Sequence, residues 1–321
     1  MPRALTPTAR AYVTYFDQRY LAFGLVMLGS LRRADPGAVV YVLCHDPLSF
    51  VITTRLGDRQ IIAIASDELL AFEPRLADCA SRGRQSFYAT HKPVLPLLVL
   101  SRQPHLYAVI HIDADVFFFS SVAPLFDEIG DASIALSPHR FSRVFQALDV
   151  HGTFNAGFIY WRNDEIGRRC LAEYRDDCLA WCEPDILPDG RFMNQGYLTR
   201  WPARYEGVHV VQHPGVNLAY WNIADRHVTR WPLRVDGQRV VFYHFSGVNR
   251  DPLGVWRSPR REFGSNLTAA VRGIYAPFLR RVERLDRRLH RRHPQLQRLE
   301  TGWEAGGQPV RHGPWRLGRE N

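Results

Sequence analysis

"YAVIHIDADVFFFS", Tyr107 to Ser120, sets two aspartates, Asp113 and Asp115, between two of the most apolar runs in the chain. A carboxylate buried without a partner costs several kcal/mol, so the rest of the sequence has to supply this pair with a cation. "YAVIHI" has the unbroken apolar character of a strand covered on both faces, and the aspartates stand where it ends. Upstream, "AYVTYF" (Ala11–Phe16) is β-prone and "RYLAFGLVMLGSLRRA" has helical apolar spacing. "AVVYVLCHD" reads as a second strand closed by Asp46 with a short helix behind it, and "QIIAIA" as a third. Strands alternating with helices predict parallel pairing in a doubly wound α/β sheet, where ligands bind at the C-terminal ends of the strands. Asp113 and Asp115 are therefore predicted to face a ligand.

Further along, "RQSFYATHKPVLPLLVLSR" predicts a helix feeding the aspartate strand, and "DASIALSP" and "GTFNAGFIYWRND" predict strands. "EIGRRCLAEYRDDCLAWC" predicts a helix and "RFMNQGYLTRWPARY" a shorter one. "VHVVQHPGVNLAYWNI", "RHVTRWPL" and "QRVVFYHFSG" carry strands joined by loops rich in Gly, Asn and aromatics. Neither GxxxxGK[ST] nor GxGxxG occurs, so a bound phosphate would be held by a metal rather than by a nest of backbone amides.

The 321 residues, 46% hydrophobic and 23% charged, suit one large α/β domain or two smaller ones. No apolar run is long enough to cross a bilayer, and "MPRALTPTARAYVTYF" lacks the pattern of a secretory signal. Five cysteines without framework spacing do not make a secreted disulfide scaffold, and a cytoplasmic location is expected. Cys170, Cys178 and Cys182 recur at helical spacing, which describes one buried helix face; a zinc site would want paired CxxC spacing or clustered histidines, and neither accompanies them.

Charge is unevenly placed. From Arg257 onward 15 Arg stand against 6 acidic residues, which accounts for the whole net charge of +9. There Tyr275, Phe278, Leu279, Val282, Leu285 and Leu289 keep amphipathic helical spacing. Arg280, Arg281, Arg284, Arg287, Arg288, Arg291 and Arg292 cover the other side. Such a helix either lies on an anionic membrane surface or packs its apolar stripe on the domain. Aromatics interleaved with the arginines would favour nucleic acid, and they are missing, so no nucleic-acid partner is expected. The expected organisation is a catalytic domain over residues 1–264, a basic amphipathic helix over 265–293 and a flexible tail over 294–321.

Two carboxylates one residue apart at a strand end share a divalent ion if the chain bends round it. Oxygen ligands suit Mg2+ or Mn2+, and an added imidazole tilts the choice towards Mn2+. His244, in "VVFYHFSG" at the end of another apolar strand, is the candidate imidazole.

With these residues in view, "HIDADVFFFSSVAPLF" resembles the DxD segment of nucleotide-diphospho-sugar transferases with the GT-A fold, and the order of later segments resembles glycosyltransferase family eight and its bacterial relatives. "FNAGFIYW" is similar to that family's Asn-x-Gly strand, "MNQGYL" to its Asp-Gln helix start, "HPGVNLAYWN" to its Trp-Asn loop and "YHFSG" to its terminal His motif. The resemblance runs in order from about Ala11 to Arg257.

It implies a Rossmann-like, mostly parallel mixed sheet flanked by helices, followed by the basic helix. It implies transfer of a sugar from a nucleotide-diphosphate sugar, with UDP as the expected nucleotide, to an acceptor hydroxyl. Asp115 and His244 would bind Mn2+ or Mg2+, with Asp113 shared between metal and donor ribose. Donor binding would fall to Tyr15, Phe16, Asp17, Lys92, Ala114, Asn155, Ala156, Gly157, Gly247 and Arg250, and acceptor binding to Asn217, Tyr220, Trp221 and Asn222. Lys92 is the only lysine in the chain; against donor groups it would be a cation, and its alternative role is a surface salt bridge.

Two departures stand out. Where relatives have Asp-Gln, this chain has Asn194-Gln195 at the catalytic position, so either an amide suffices to position the sugar or Asp185 or Asp189 supplies the missing carboxylate. The family's Lys-Pro-Trp after the His motif is absent, and Arg250 is the substitute cation.

The resembled family retains anomeric configuration, and retention is expected here because no segment clearly offers a general base. The acceptor would be a lipopolysaccharide or other surface glycan, lipid-linked or a small molecule, met at the inner membrane face. The alternatives are a nucleotidyltransferase on a related sheet, for which the Gly-rich loop after the first strand is missing, and a non-enzymatic binding protein acting through its basic tail.

Overall fold

The computed structural model describes residues 9–250, 256–257 and 269–296. Its first half winds β1 (Arg10–Phe16), α1 (Leu21–Ala34), β2 (Val39–Cys44), α2 (Pro47–Thr54), β3 (Ile61–Ala65) and α3 (Ser66–Phe72). Asp46 ends β2 as expected and caps α2, its side chain accepting from the amides of Leu48 and Ser49. The long α4 (Arg84–Arg102) then leads into β4 (Ala108–Ile112). After the aspartates come β5 (Val116–Phe118), α5 (Ala123–Ile129), β6 (Ile134–Pro138), β7 (Phe154–Arg162) and α6 (Glu165–Ala180). Short elements follow: α7 (Trp201–Arg204), β8 (Val208–Val210), β9 (Leu218–Ala219), α8 (Tyr220–Ile223), β10 (Val228–Thr229), β11 (Arg234–Val235), β12 (Gln238–Arg239) and β13 (Phe242–His244).

The central sheet has the order β3-β2-β1-β4-β7-β6-β8. All its strands run parallel except β7, which is antiparallel to both neighbours. This is the mostly parallel mixed sheet expected from the sequence. β4 lies at its centre and is buried at every residue, as the unbroken apolar run required.

Side-chain alternation divides the core between the two faces. Val13 and Val109 point to the layer of α4 and α6, while Tyr12, Ile110 and Ile112 point to that of α1. Cys170 and Cys178 are buried on α6; Cys182 is equally buried but lies past the helix end, so the three cysteines do not share one helix face.

The aspartate stretch changes sheets halfway. β4 belongs to the central sheet, whereas β5 leaves it to pair in a small sheet of order β5-β13-β9. Asp113 and Asp115 are the turn between them.

The last described helix, α9 (Ala269–Arg292), lays Tyr275, Phe278, Leu279 and Val282 into the same core as α1, with Phe278 stacked on Phe245 at 3.7 Å. All seven arginines named above lie on its exposed side. The expected domain limit at 264 and nearly all of the expected tail fall outside the described residues. No helix among the described residues is long and apolar enough to cross a membrane.

Candidate functional site

Backbone pairing brings the sequence-distant ligands together. β13 runs antiparallel to β5 with His244 opposite Val116, and the amide of Phe245 donates to the carbonyl of Asp115 at 2.8 Å. His244 is therefore held beside Asp115, with Nε2 3.0 Å from Asp115 Oδ1 and 3.9 Å from Asp113 Oδ2. The amide of Asp113 donates to the Gly157 carbonyl at 3.0 Å, tying the turn to β7. Ligand atoms of Asp113, Asp115 and His244 all lie within 4.8 Å of one another, and among the described residues they form the one group suited to a metal ion.

The donor set fits a hard divalent cation with one imidazole. The imidazole is already oriented for it. Nδ1 of His244 faces two amide oxygens, Asn155 Oδ1 at 3.2 Å and Asn217 Oδ1 at 3.3 Å, so Nδ1 carries the proton and Nε2 turns towards the carboxylates. Burial pushes His244 down, but Asp115 and Asp113 outweigh it and the group ends above its ordinary value.

The other oxygen of Asp113 is held from behind. Lys92, 4% exposed, donates Nζ to Asp113 Oδ1 at 2.8 Å and to the Ala156 carbonyl at 2.9 Å. Its role as a surface salt bridge is thereby excluded. His111 Nε2 donates to the same Oδ1 at 2.8 Å, and burial pushes this imidazole down to about 4, so it does so as a neutral donor. Burial alone would push Asp113 up, but Lys92 and His111 bring its carboxyl well below the usual range.

Asp113, Asp115, His244 and Lys92 line a cavity of about 1060 Å3 at the C-terminal ends of the strands, where the topology predicted it. Tyr15, Phe16 and Asp17 from the end of β1 line it. Asp17 accepts from the amides of Arg19 and Tyr20, fixing the turn. Lys92, Ala114, Asn155, Ala156 and Gly157 line the cavity with the aspartates, as do Asn194, Gln195, Tyr220 and Trp221.

Other expected residues lie elsewhere. Asn217 and Asn222 are buried behind the wall rather than lining it. Asn222 braces the loop, accepting from the Ala219 amide and donating to the carbonyls of His139 and Asn217. Gly247 is an exposed turn residue with a φ of 75°, a conformation glycine adopts freely. The side chain of Arg250 falls outside the described residues. Asp185 lines the rim, while Asp189 pairs with Arg191 at 2.7 Å and does not line the cavity.

The amide at position 194 has a local cause. Pro93, inside α4, has no N–H to give the carbonyl of Ala89, one turn back. Asn194 Nδ2 donates to that orphaned carbonyl at 3.1 Å, a bond that an aspartate carboxylate could not make. Its Oδ1 is left as the polar atom available to the cavity.

Gln195 is occupied at both ends. Oε1 accepts from Asn155 Nδ2 and the Ala156 amide, each at 3.2 Å, and Nε2 donates to the His151 carbonyl at 3.0 Å.

Sequence reasoning missed several wall residues. His139 lines the cavity with Nδ1 on the Gly152 carbonyl at 2.9 Å and Nε2 accepting from Asn155, and burial pushes it down to about 3. Gln85, Tyr88 and Ala89 line the cavity with Lys92, and stepping back from Lys92 by helical turns would have found them. Phe141 and Phe192 carried no comparable sequence signal.

No protein-family model matches the chain. It is 31% identical over 266 residues to YfnD, an uncharacterized protein of Bacillus subtilis (strain 168), which covers 80% of this chain and 84% of that protein. YfnF of the same strain, also uncharacterized, is 29% identical over 252 residues, or 74% of this chain and 81% of that one. Among solved structures, the galactosyltransferase LgtC, determined with donor and acceptor sugar analogues, overlays with a TM-score of 0.48 at 16% identity, covering 85% of this chain and 95% of that chain.

Proposed function

This chain belongs to the same family as Bacillus subtilis YfnD, and for this member we propose a metal-dependent glycosyltransferase that moves a sugar from a UDP-sugar to an acceptor hydroxyl. The observation that carries the reading is the convergence of Asp113, Asp115 and His244, their ligand atoms within 4.8 Å of one another, in the lining of a large strand-end cavity. It is supported by the ordered motif resemblance from Ala11 to Arg257.

Asp113 Oδ2, Asp115 Oδ1 and His244 Nε2 would hold Mn2+ or Mg2+. When bound, such an ion supplies Lewis-acid stabilisation to the charge developing on the departing nucleoside diphosphate. The chain's own groups do the rest. Tyr15, Phe16 and Asp17 receive the base. Asn194 offers Oδ1 to the sugar, and Gln195 holds Asn155 and Ala156 in place under it. Phe141, Phe192, Tyr220 and Trp221 give the acceptor side apolar faces of the kind that cover a sugar ring.

Retention follows from the shortage of a base. His139 has both nitrogens engaged and is pushed down to about 3, so it takes up no proton at neutral pH. Asp17 is bound by amides and Glu183 faces Arg82 at 3.6 Å. That leaves Asp185, exposed at the rim, and His151, whose Nδ1 faces the Leu148 carbonyl at 3.1 Å. The acceptor is taken to be a lipopolysaccharide or other surface glycan, met in the cytoplasm at the inner membrane face. The seven exposed arginines of α9 suit an anionic surface.

Calorimetric titration of UDP with and without Mn2+ tests the reading, with Asp115→Ala as control. Binding that needs the metal and is lost in the variant is the expected result. Equal binding without metal, or none with UDP, would count against it.

A further inference from the structure

Lys92 is the only lysine among 41 basic residues, and it is buried against one of the metal-facing carboxylates. Elsewhere the chain uses arginine. At this position Nζ reaches Asp113 Oδ1 at 2.8 Å and the Ala156 carbonyl at 2.9 Å from within α4. A compact point charge fits such a contact, whereas a planar guanidinium with five donors does not.

The charges around the cluster have a consequence. Asp113 and Asp115 bring two negative charges, and His244 as a metal ligand brings none. The Lys92 ammonium cancels one of the two, leaving one negative charge to meet a divalent ion. Without the lysine, two carboxylates would neutralise the ion by themselves. With it, the loaded site keeps a surplus positive charge, and a nucleoside diphosphate carries the negative charge that balances it. His111 also donates to Asp113 Oδ1, so orienting that carboxylate does not by itself require a cation.

We propose that Lys92 is a positioning residue that makes metal binding conditional on the nucleotide: its charge keeps the site's affinity for the ion alone low, and the diphosphate restores it. This rests on the transferase reading above. It goes beyond it by assigning the order of assembly to one side chain. An empty site would then shed its metal, and the ion would be retained only while a nucleotide is present.

The test measures Mn2+ affinity by electron paramagnetic resonance, with no nucleotide, in the wild type and in Lys92→Gln and Lys92→Met. Gln keeps a hydrogen-bond donor towards Asp113 without charge, and Met keeps only the length. Thermal unfolding of each variant identifies any that fail to fold. In both folded variants Mn2+ alone binds about tenfold tighter, as removal of a nearby like charge requires. The gain in Mn2+ affinity on adding UDP, large in the wild type, shrinks by a similar factor. Mn2+ binding that is unchanged or weaker in folded Lys92→Gln overturns the proposal, because it would make Lys92 a mere orienter of Asp113. The nucleotide-free measurement stands whatever UDP does. Failure of UDP to bind the Mn2+-loaded wild type would sink the transferase reading and, separately, the conditional role.

Discussion

A β-carbon on Gly157 would stand 2.5 Å from Cε1 of His244 and 2.8 Å from its Nδ1. The imidazole occupies the space that any other residue in the middle of β7 would fill. Gly157 is thus part of the metal site without offering it an atom. Gly157→Ala is expected to displace His244 and weaken Mn2+ affinity in the presence of UDP by roughly 10–100-fold, the range for lost support of a ligand. Far-UV circular dichroism should show the fold intact. Unchanged metal affinity would mean that the strand shifts to accommodate the methyl group.

The contact between Asn194 and the Ala89 carbonyl predicts how a family-like aspartate would behave here. Asn194→Asp sets a carboxylate against a carbonyl and leaves the latter unpaired, at a cost of about 1–3 kcal/mol. It is expected to lower the melting temperature and not to raise transfer activity. Pro93→Ala returns an N–H to Ala89, so in that background the cost of Asn194→Asp should fall. A double-mutant cycle by urea unfolding measures this, and an additive result would remove Pro93 as the cause.

Retention makes Asp185 dispensable for the chemistry. With a UDP-sugar and an acceptor that the wild type uses, Asp185→Asn should lose no more than about threefold in kcat, whereas a general base contributes ~100-fold or more. NMR of the product should show the anomer of the donor. A collapse of kcat would reassign Asp185 as the base, and an inverted product at unchanged kcat would overturn retention and point to His151.

Three imidazoles away from the metal ligands make the fold sensitive to acid. Burial pushes His91 down to about 4, His139 to about 3 and His45 well below its ordinary value. An unfolded imidazole titrates near pH ~6.5, so below that pH the unfolded chain binds more protons and stability falls as pH falls. Each group contributes a slope of roughly 1.4 kcal/mol per pH unit until its folded value is reached. His244 does not cancel this loss: its raised value adds stability that is already complete below the unfolded value and is lost only as pH rises. Asp113, depressed, acts at more acidic pH. Unfolding free energies from pH 6.5 to 4.5 should drop steeply. His91→Phe should flatten the drop by one proton, since neither ring nitrogen of His91 has a partner in the fold.

Much of this protein was legible in its sequence. The apolar run before Asp113 marked a central strand, the β–α alternation made the first half of the sheet parallel, and the topology rule put the aspartates at the ligand edge. These are local properties: side-chain period, burial and turn chemistry are written in consecutive residues. The metal-ligand residue types could also be read, because two carboxylates in apolar surroundings demand a cation.

Only the tertiary structure decided which partners meet. The switch of β5 into a second sheet, with His244 opposite Val116, brings the imidazole to Asp115 across more than a hundred residues of chain. The same packing turned Lys92 from a surface cation into the buried partner of Asp113, moved Asn217 behind His244, and gave Asn194 a carbonyl left unpaired by Pro93. Each depends on which backbone groups remain unsatisfied, and how closely two strands approach, once the chain has closed on itself. Sequence spacing carries no record of those distances.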